Sequence, residues 1–99
     1  MILLRKKETM ADEEFARYWL DSHAPVAKRM PGLRKYVINV VQKPPGRELD
    51  YHGIVELWFD DKESMKRAFA SPEGHDAQQD TERFTSGIST LFIQEHEVL

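Results

Sequence analysis

The spacing of hydrophobic positions changes several times along the first third of the chain, and each change predicts a new element. Residues 1–6 open with an apolar run and predict a first strand. A helix follows: after the acidic residues 12–14, which suit the first turn of a helix, an apolar stripe runs at helical spacing through Phe15, Tyr18 and Trp19. This helix is predicted to end near Ser22, because Pro25 disfavours helical geometry at the preceding residue. Pro25 then begins a short helical turn that extends to Met30.

The remaining two thirds of the chain alternate between strand-like and helix-like patterns. Strands are indicated by β-branched and aromatic residues, and helices by apolar residues three and four positions apart behind a capping residue. The predicted elements are, in order, a strand over 33–43, a strand over 53–59, a helix capped by Asp60 that ends at Ser71-Pro72, a helix from Glu73 to about Phe84, and a closing strand over Ile88–Val98.

The resulting order, β-α-β-β-α-β, is that of the ferredoxin-like plan. In this α+β fold class, four strands form an antiparallel sheet and the helices pack on one face of it. The Pro- and Gly-containing stretch 43–48 is too short to separate two domains, so residues 1–99 are predicted to form a single domain.

Large apolar side chains lie on both faces of the predicted sheet. In the third strand, Ile54 and Trp58 alternate with Val55 and Leu57, so neither face is polar. A sheet face in contact with water would be polar, and the helices of one chain suffice to cover only one face. The sequence therefore predicts a symmetric homodimer in which a second copy covers the other face.

Composition and charge exclude several function classes. The chain has 99 residues, is 40% hydrophobic and carries a formal net charge of −3, so it is a folded domain without the basic surplus of nucleic-acid-binding proteins. RNA-recognition domains share the element order, but their third strand carries a basic, Gly-rich aromatic signature, whereas here Glu56 lies next to that strand's tryptophan. We expect no nucleic-acid partner.

Missing sequence features narrow the chemistry further. The chain has no cysteine, which excludes disulfides, thiolate nucleophiles and cysteine-based metal sites. It also lacks a phosphate-binding loop, a dinucleotide fingerprint and a serine-hydrolase elbow, so no cofactor is predicted. The apolar run at residues 1–4 is too short for a signal sequence or a membrane span, and we expect a cytoplasmic protein with no membrane partner.

Two residues are candidates for catalysis, each with a structural alternative. His23 carries the side chain best suited to moving protons near neutral pH, and Pro25 stiffens the backbone just beyond it; alternatively, the imidazole caps the end of the first helix. Glu56 shares its strand face with Ile54 and Trp58. If that face is interior, its carboxylate suits a general acid or base, while a structural carboxylate paired across the sheet or the dimer interface is the favoured alternative.

Other polar and aromatic residues are candidates for binding a ligand. Four aromatic residues have tips that can donate a hydrogen bond at the rim of a pocket, although aromatics at these spacings also form ordinary core: Tyr18, Trp19, Tyr36 and Trp58. Asp80 and Phe84 are one helical turn apart and could close one end of such a pocket; for Asp80 a solvated helix face is the alternative. His75, Gln79 and Glu82 share a helix face, but Gln is a poor ligand, so no metal is predicted.

Several of these residues carry a family resemblance. The pattern F-x-x-Y-W-x-x-x-H-A-P over residues 15–25 resembles the EthD family of small dimeric α+β barrel proteins. Further matching segments are Pro31-Gly32-Leu33 with Tyr36, residues 53–59, Ser71-Pro72-Glu73, Asp80 with Phe84, and Glu95-His96. The chain departs from the family at Glu8-Thr9, where relatives often have Pro-Gly, and at His52, where they often have Asp.

The resemblance implies a homodimer whose two sheets enclose a barrel, with a pocket between sheet and helices in each subunit for a small, apolar and often cyclic metabolite. Similar barrels include cofactor-independent monooxygenases, lactone isomerases, polyketide cyclases and haem-degrading enzymes. Our first hypothesis is an oxidoreductase of the cofactor-independent monooxygenase type, or an isomerase or cyclase, that uses His23 for proton transfer. The alternatives are a non-catalytic ligand-binding or accessory protein and, third, a haem-handling protein.

Overall fold

The computed structural model describes all 99 residues and contains four strands and four α-helices. A π-helical turn, referred to below as the π turn, joins the first two helices. The elements are β1 (Ile2–Lys6), α1 (Asp12–Tyr18), the π turn (Trp19–His23), α2 (Ala24–Ala27), β2 (Lys35–Val40), β3 (Gly53–Trp58), α3 (Lys62–Ala70), α4 (Pro72–Thr81) and β4 (Thr85–Thr90). No helix combines the length and the apolar character that crossing a bilayer requires.

The four strands form one sheet in the order β2-β3-β1-β4, and every neighbouring pair is antiparallel. This arrangement confirms the predicted ferredoxin-like α+β fold. The register pairs Ile38 with Val55, Val55 with Ile2, and Leu4 with Ile88. Paired residues project to the same side of a sheet, so these side chains share the face that meets the helices, which we call the helix face.

Two apolar clusters pack between the helices and the sheet. The larger cluster joins the π turn to the sheet and consists of Leu4, Phe15, Trp19, Val55 and Phe84. The second joins α2, α3 and α4 through small residues and consists of Ala27, Met30, Ala68 and Ala77. Close approach is also required at Gly74, where a Cβ atom would lie 2.2 Å from the carbonyl oxygen of Ala68. The small side chains let three helices crowd together beside the larger cluster.

The predicted end of the first helix at Ser22 is wrong. The chain continues helically through the π turn into α2, and the Ala24 N–H donates to the Trp19 carbonyl, five residues back. The cause is Pro25, which has no N–H to donate and whose ring would clash with the carbonyl four residues earlier in a regular α-helix. A widened turn relieves this clash without ending the helix.

Other predicted boundaries also shift. The closing strand is Thr85–Thr90 rather than 88–98, because the last residue of β4 already pairs with Ile2 at the start of β1 and the chain beyond runs out of partner strand. The second strand is shorter than predicted and spans Lys35–Val40. Asp61, not Asp60, caps α3: its Oδ1 accepts from the Ser64 N–H at 2.7 Å. Asp60 instead pairs with the Arg34 guanidinium.

Candidate functional site

A cavity of about 950 Å³ lies between the helix layer and the helix face of the sheet. Most of its lining residues are hydrophobic, and they come from the π turn, α2, α3, α4 and all four strands. Its size falls in the range of small-molecule sites, about 300–1,000 Å³. The lining includes His23, Trp19 and Tyr36. The cavity can therefore take a largely apolar molecule and still offer it polar groups to bind.

The π turn places His23 and Trp19 on the cavity wall. Both side chains are nearly fully buried, with exposed fractions of 5% for His23 and 1% for Trp19. The Phe84 ring lies behind both, with its centroid 4.9 Å from the His23 ring and 6.2 Å from the Trp19 ring. Pi turns occur often at functional sites. Here the turn that accommodates Pro25 also carries the imidazole.

Asp80 of α4 joins His23 to Tyr18. Its Oδ2 lies 2.7 Å from His23 Nδ1, and its Oδ1 accepts from the Tyr18 hydroxyl at 2.7 Å. The Arg83 Nη1 atom approaches Oδ1 more loosely, at 3.5 Å. Asp80 is itself buried, with 7% of its surface exposed. The carboxylate is thus held by donors on both oxygens and is fixed against the imidazole.

This arrangement determines which His23 nitrogen faces the cavity as a base. A carboxylate oxygen only accepts, so Nδ1 donates to Asp80 and carries the hydrogen of the neutral ring. No protein group forms a hydrogen bond with Nε2. Every side-chain nitrogen or oxygen that lacks a hydrogen-bond partner in this structure is exposed to solvent, so Nε2 is accessible. Burial lowers the pKa of His23 below its ordinary value of 6.5, against an opposing contribution from Asp80. At neutral pH the ring is therefore an uncharged base.

The structure brings six of the eight predicted site residues together in two layers. His23, Trp19 and Tyr36 line the cavity. Tyr18, Asp80 and Phe84 lie behind them and contact His23 or its partner Asp80. The solvated alternative for Asp80 is wrong, because its helix face packs against the π turn and the carboxylate is buried there. Phe84 closes no end of the cavity and belongs to the core.

Glu56 and Trp58 lie away from the cavity. The register pairs Glu56 with Val37 and Trp58 with Lys35, on the face turned away from the helices, which we call the open face. Glu56 accepts a hydrogen bond from the Asn39 amide at 3.3 Å, and the Lys35 Nζ lies 4.7 Å from the centroid of the Trp58 ring. The interpretation of Glu56 as a catalytic partner of His23 therefore has no support in the geometry, because the sheet separates the two side chains.

Sequence reasoning did not identify the cavity wall formed by the second half of the chain. Its members include Met65, Phe69, Ala77, Thr81 and Ile88. The apolar stripe of α3 contains Met65 and Phe69, and its helical spacing was the only sign of this wall in the sequence. An ordinary core face gives the same spacing, so the stripe alone does not indicate a cavity. His75 also lines the cavity and is exposed. No three His, Asp or Glu side chains of the 99 residues gather closely enough to hold a metal ion.

Gly53 makes room for Trp19, and Gly53→Ala is expected to lower the free energy of unfolding by about 1–3 kcal/mol. A Cβ atom at this position would lie 2.2 Å from Trp19 Cζ3. The Trp19 ring is almost fully buried in the larger apolar cluster and cannot shift without disturbing it. Urea unfolding measures the loss. Gly87→Ala is the matched control, since nothing lies within 4 Å of a Cβ atom there; equal losses in both variants would contradict the packing argument.

Acid is expected to destabilise the fold through His23 and His52. Burial lowers both pKa values below the ordinary 6.5, and the positive charge of Lys6 lowers that of His52 further. In addition, His52 Nδ1 accepts from the Lys6 backbone N–H at 3.1 Å, a bond that protonation of this nitrogen would break. As the pH falls, the unfolded chain therefore binds protons at these two histidines before the folded chain does. The free energy of unfolding has its full value above a pH of about 6.5 and decreases as the pH drops toward the folded-state pKa values.

Urea unfolding at several pH values checks this expectation, with His23→Gln and His52→Gln as variants that cannot titrate at these positions. Each variant is expected to show a shallower loss of stability than the wild type between pH about 6.5 and about 5. His96→Gln is the control, because His96 is exposed and makes no hydrogen bond or ion pair. Identical pH slopes for all four proteins would show that other groups cause the acid sensitivity.

Comparison with known proteins gives the same fold and one family. A solved EthD (ethyl tert-butyl ether d) family protein from Bacillus halodurans superposes with a TM-score of 0.73 at 24% identity, covering 92% of this chain and 95% of that one. A dimeric protein of unknown function with a ferredoxin-like fold, from Bacteroides fragilis, gives a TM-score of 0.65 at 15% identity, covering 89% and 85% of the two chains.

The sequence comparison agrees with the structural one. A Rhodococcus erythropolis protein, described as an uncharacterized 11.0 kDa protein in the thcB-thcC intergenic region, is 29% identical over 86 residues, which are 86% of this chain and 84% of the relative. The EthD domain model matches residues 7–88, a span that includes the π turn, all four helices, β2, β3 and the first four residues of β4. The chain therefore belongs to the EthD family.

Proposed function

We propose that this chain works in the cytoplasm as a homodimer that binds a small, largely apolar metabolite in its cavity and moves a proton through Nε2 of His23. One observation carries the proposal: an accessible, uncharged imidazole nitrogen on the wall of an apolar cavity, with a buried carboxylate fixed behind the ring. A base with a lowered pKa stays free of protons at neutral pH and can accept one from a ligand.

The apolar walls supply the affinity and the imidazole supplies the chemistry. Each Å² of apolar ligand surface removed from water contributes about 25 cal/mol, so a ring-sized molecule gains several kcal/mol without any polar contact. Excluding water also strengthens the interaction of the developing imidazolium with Asp80. Isomerisation, cyclisation and cofactor-independent oxidation all begin with such a proton transfer, so the proposal covers these three reaction types.

The two tryptophans allow a direct test of binding. Trp19 lines the cavity and Trp58 lies on the open face, so Trp58→Phe leaves an indole that reports on the cavity alone. Titration of this variant with ethers, phenols, quinones and lactones is expected to change its fluorescence in a saturable way. Trp19→Phe keeps only the open-face indole and is expected to show no change with the same ligands. Binding seen only by Trp58 would place the ligand outside the cavity and contradict the proposal.

Replacing His23 tests the proton transfer. Ligands that bind are incubated with the protein in D2O and followed by mass spectrometry for product or deuterium uptake. His23→Gln is expected to abolish this turnover and keep binding, whereas His75→Gln removes another cavity-lining histidine, an exposed one, and is expected to retain turnover. Unchanged turnover in His23→Gln would remove His23 from the mechanism. Saturable binding without turnover in the wild type would instead favour the accessory-protein hypothesis.

The homodimer is supported by the composition of the open face. Leu3, Val37, Ile54 and Trp58 lie on this face and are only partly covered in the single chain. The solved relative from Bacteroides fragilis is described as dimeric. Sedimentation at micromolar concentration is expected to give the mass of two chains, and Ile54→Glu that of one. Leu20→Glu is the control, since Leu20 is an exposed residue of the π turn; a monomeric wild type would overturn the proposal.

A further inference from the structure

Tyr36 places a phenol hydroxyl in the cavity that contains the His23 imidazole. It lies on β2, its pairing with Leu57 puts it on the helix face, and it lines the same cavity as His23. No protein group forms a hydrogen bond of normal geometry with its hydroxyl, which is not sealed from solvent. A mostly apolar wall thus carries a hydroxyl that donates to no protein group and an imidazole nitrogen that accepts from none. Such polar atoms in an apolar pocket are the groups that orient a ligand.

The two groups have opposite hydrogen-bonding character. His23 Nε2 accepts, because Nδ1 carries the hydrogen of the neutral ring. Tyr36 donates: burial raises its pKa to about 12, so the hydroxyl keeps its hydrogen at any physiological pH. The nearby Trp19 indole N–H acts in the opposite direction on this pKa and makes the phenol a somewhat better donor. The cavity therefore offers a base and a neutral acid to one ligand.

We propose that the ligand of this site is a carbonyl compound with an acidic C–H bond next to the carbonyl, whose oxygen accepts from the Tyr36 hydroxyl while His23 Nε2 removes the proton. This inference rests on the proposed function and specifies its substrate class. A donor aimed at the carbonyl oxygen stabilises the enolate more than the ketone, because the negative charge develops on that oxygen. A purely apolar ligand would displace water from the two polar groups without replacing its hydrogen bonds, at a cost.

The proton transfer balances without an added oxidant or reductant. The C–H bond breaks, its electron pair forms the carbon–carbon double bond of the enolate, and the carbonyl π pair moves onto oxygen, next to the Tyr36 hydroxyl. The proton is held on His23 Nε2, and the resulting imidazolium is stabilised by Asp80 at 2.7 Å from Nδ1. When the proton on Nε2 is replaced by one from solvent before a proton returns to the same carbon, the ligand takes up solvent hydrogen; return of a proton to another carbon isomerises the ligand.

A matched pair of probes, 2-indanone and indane, tests this substrate class. The two molecules have the same bicyclic skeleton and differ in the carbonyl group. With the Trp58→Phe protein as fluorescent reporter, 2-indanone is expected to bind about 5- to 10-fold more tightly than indane, as one hydrogen bond allows. In D2O, the protein is expected to speed deuterium uptake next to the carbonyl about 100-fold or more over buffer, measured by proton NMR.

Tyr36→Phe separates the role of the hydroxyl from that of the ring. This variant is expected to bind indane unchanged, to lose the preference for 2-indanone, and to slow the exchange about 100-fold. Tyr51→Phe is the matched control, because the Tyr51 hydroxyl contacts Ser89, outside the cavity lining. It is expected to behave as the wild type in all three measurements.

The possible outcomes distinguish this inference from the proposed function. Equal affinity for the two probes, or exchange that is unaffected by Tyr36→Phe, would overturn the carbonyl substrate class and leave the apolar cavity standing as a binding site. Failure of both probes to bind at the Trp19 reporter would count against the cavity itself, and so against the proposed function as well as the inference.

Discussion

Phe84→Ala is expected to lower the free energy of unfolding by about 3–5 kcal/mol, the usual loss when a buried aromatic residue is truncated in a core. Phe84 is completely buried, and its ring contacts three other aromatic rings and the His23 imidazole. The alanine would leave a cavity at the point where α4, the π turn and the sheet meet. A loss of this size is a large part of the total stability of a small domain, about 5–15 kcal/mol.

Urea unfolding followed by far-UV circular dichroism measures the effect. The control is Phe92→Ala, since Phe92 is 71% exposed and its truncation is expected to change stability by less than about 0.5 kcal/mol. Phe84→Leu keeps most of the side-chain volume and is expected to lose less, which gives a measurable value should the alanine variant fail to fold. A loss at Phe84 no greater than at Phe92 would show that the ring does not anchor the site.

The order of strands and helices along the chain could be predicted because it depends on local periodicity. β2 and β3 show the enrichment in β-branched and aromatic residues that extended chains favour, and the β-α-β-β-α-β order leaves few topologies. The end of β4 could not be predicted in this way. Apolar residues continue from Leu91 to Ile93, but a strand also needs a partner, and the first strand provides none beyond Met1, which exchanges hydrogen bonds with Leu91.

The π turn shows a second limit of local reasoning. Pro25 correctly indicates a disturbance of the helix, but the sequence does not say whether the helix ends or widens. The buried positions of Trp19 and His23 favour widening, because an ended helix would point one of them into water. Tertiary burial therefore decides between two local structures of similar cost.

The centre of the site depends on a contact between distant residues. His23 was identified by its chemistry and Tyr18 by its spacing, but the Asp80 carboxylate that joins them is 57 residues away from His23. Nothing in a single sequence distinguishes a buried aspartate from a solvated one on the same helix. Glu56 shows the opposite case. The sequence correctly placed it on the same strand face as Ile54 and Trp58, but both faces of the strand carry apolar residues. Only the packing of the helices decides which face is inside.

Asp80→Asn is expected to reduce proton transfer by about 100-fold or more, because it changes the tautomer of His23. The asparagine oxygen can still accept from the Tyr18 hydroxyl, which turns the NH2 group toward His23 Nδ1. Nδ1 then accepts, and the hydrogen of the neutral ring moves to Nε2, the nitrogen that faces the cavity. A base that already carries its proton there cannot take one from a ligand.

The same variant is expected to lower the pKa of His23 further. In the wild type, the hydrogen bond and the charge of Asp80 both raise this pKa against the effect of burial, and the amide removes the charge. Proton NMR of the ring protons follows the titration, and the nitrogen chemical shifts of the imidazole report which nitrogen is protonated. Asp76→Asn is the control, because Asp76 is exposed on the same helix and makes no ion pair or side-chain hydrogen bond. An unchanged tautomer and pKa in Asp80→Asn would show that the 2.7 Å contact does not govern the base.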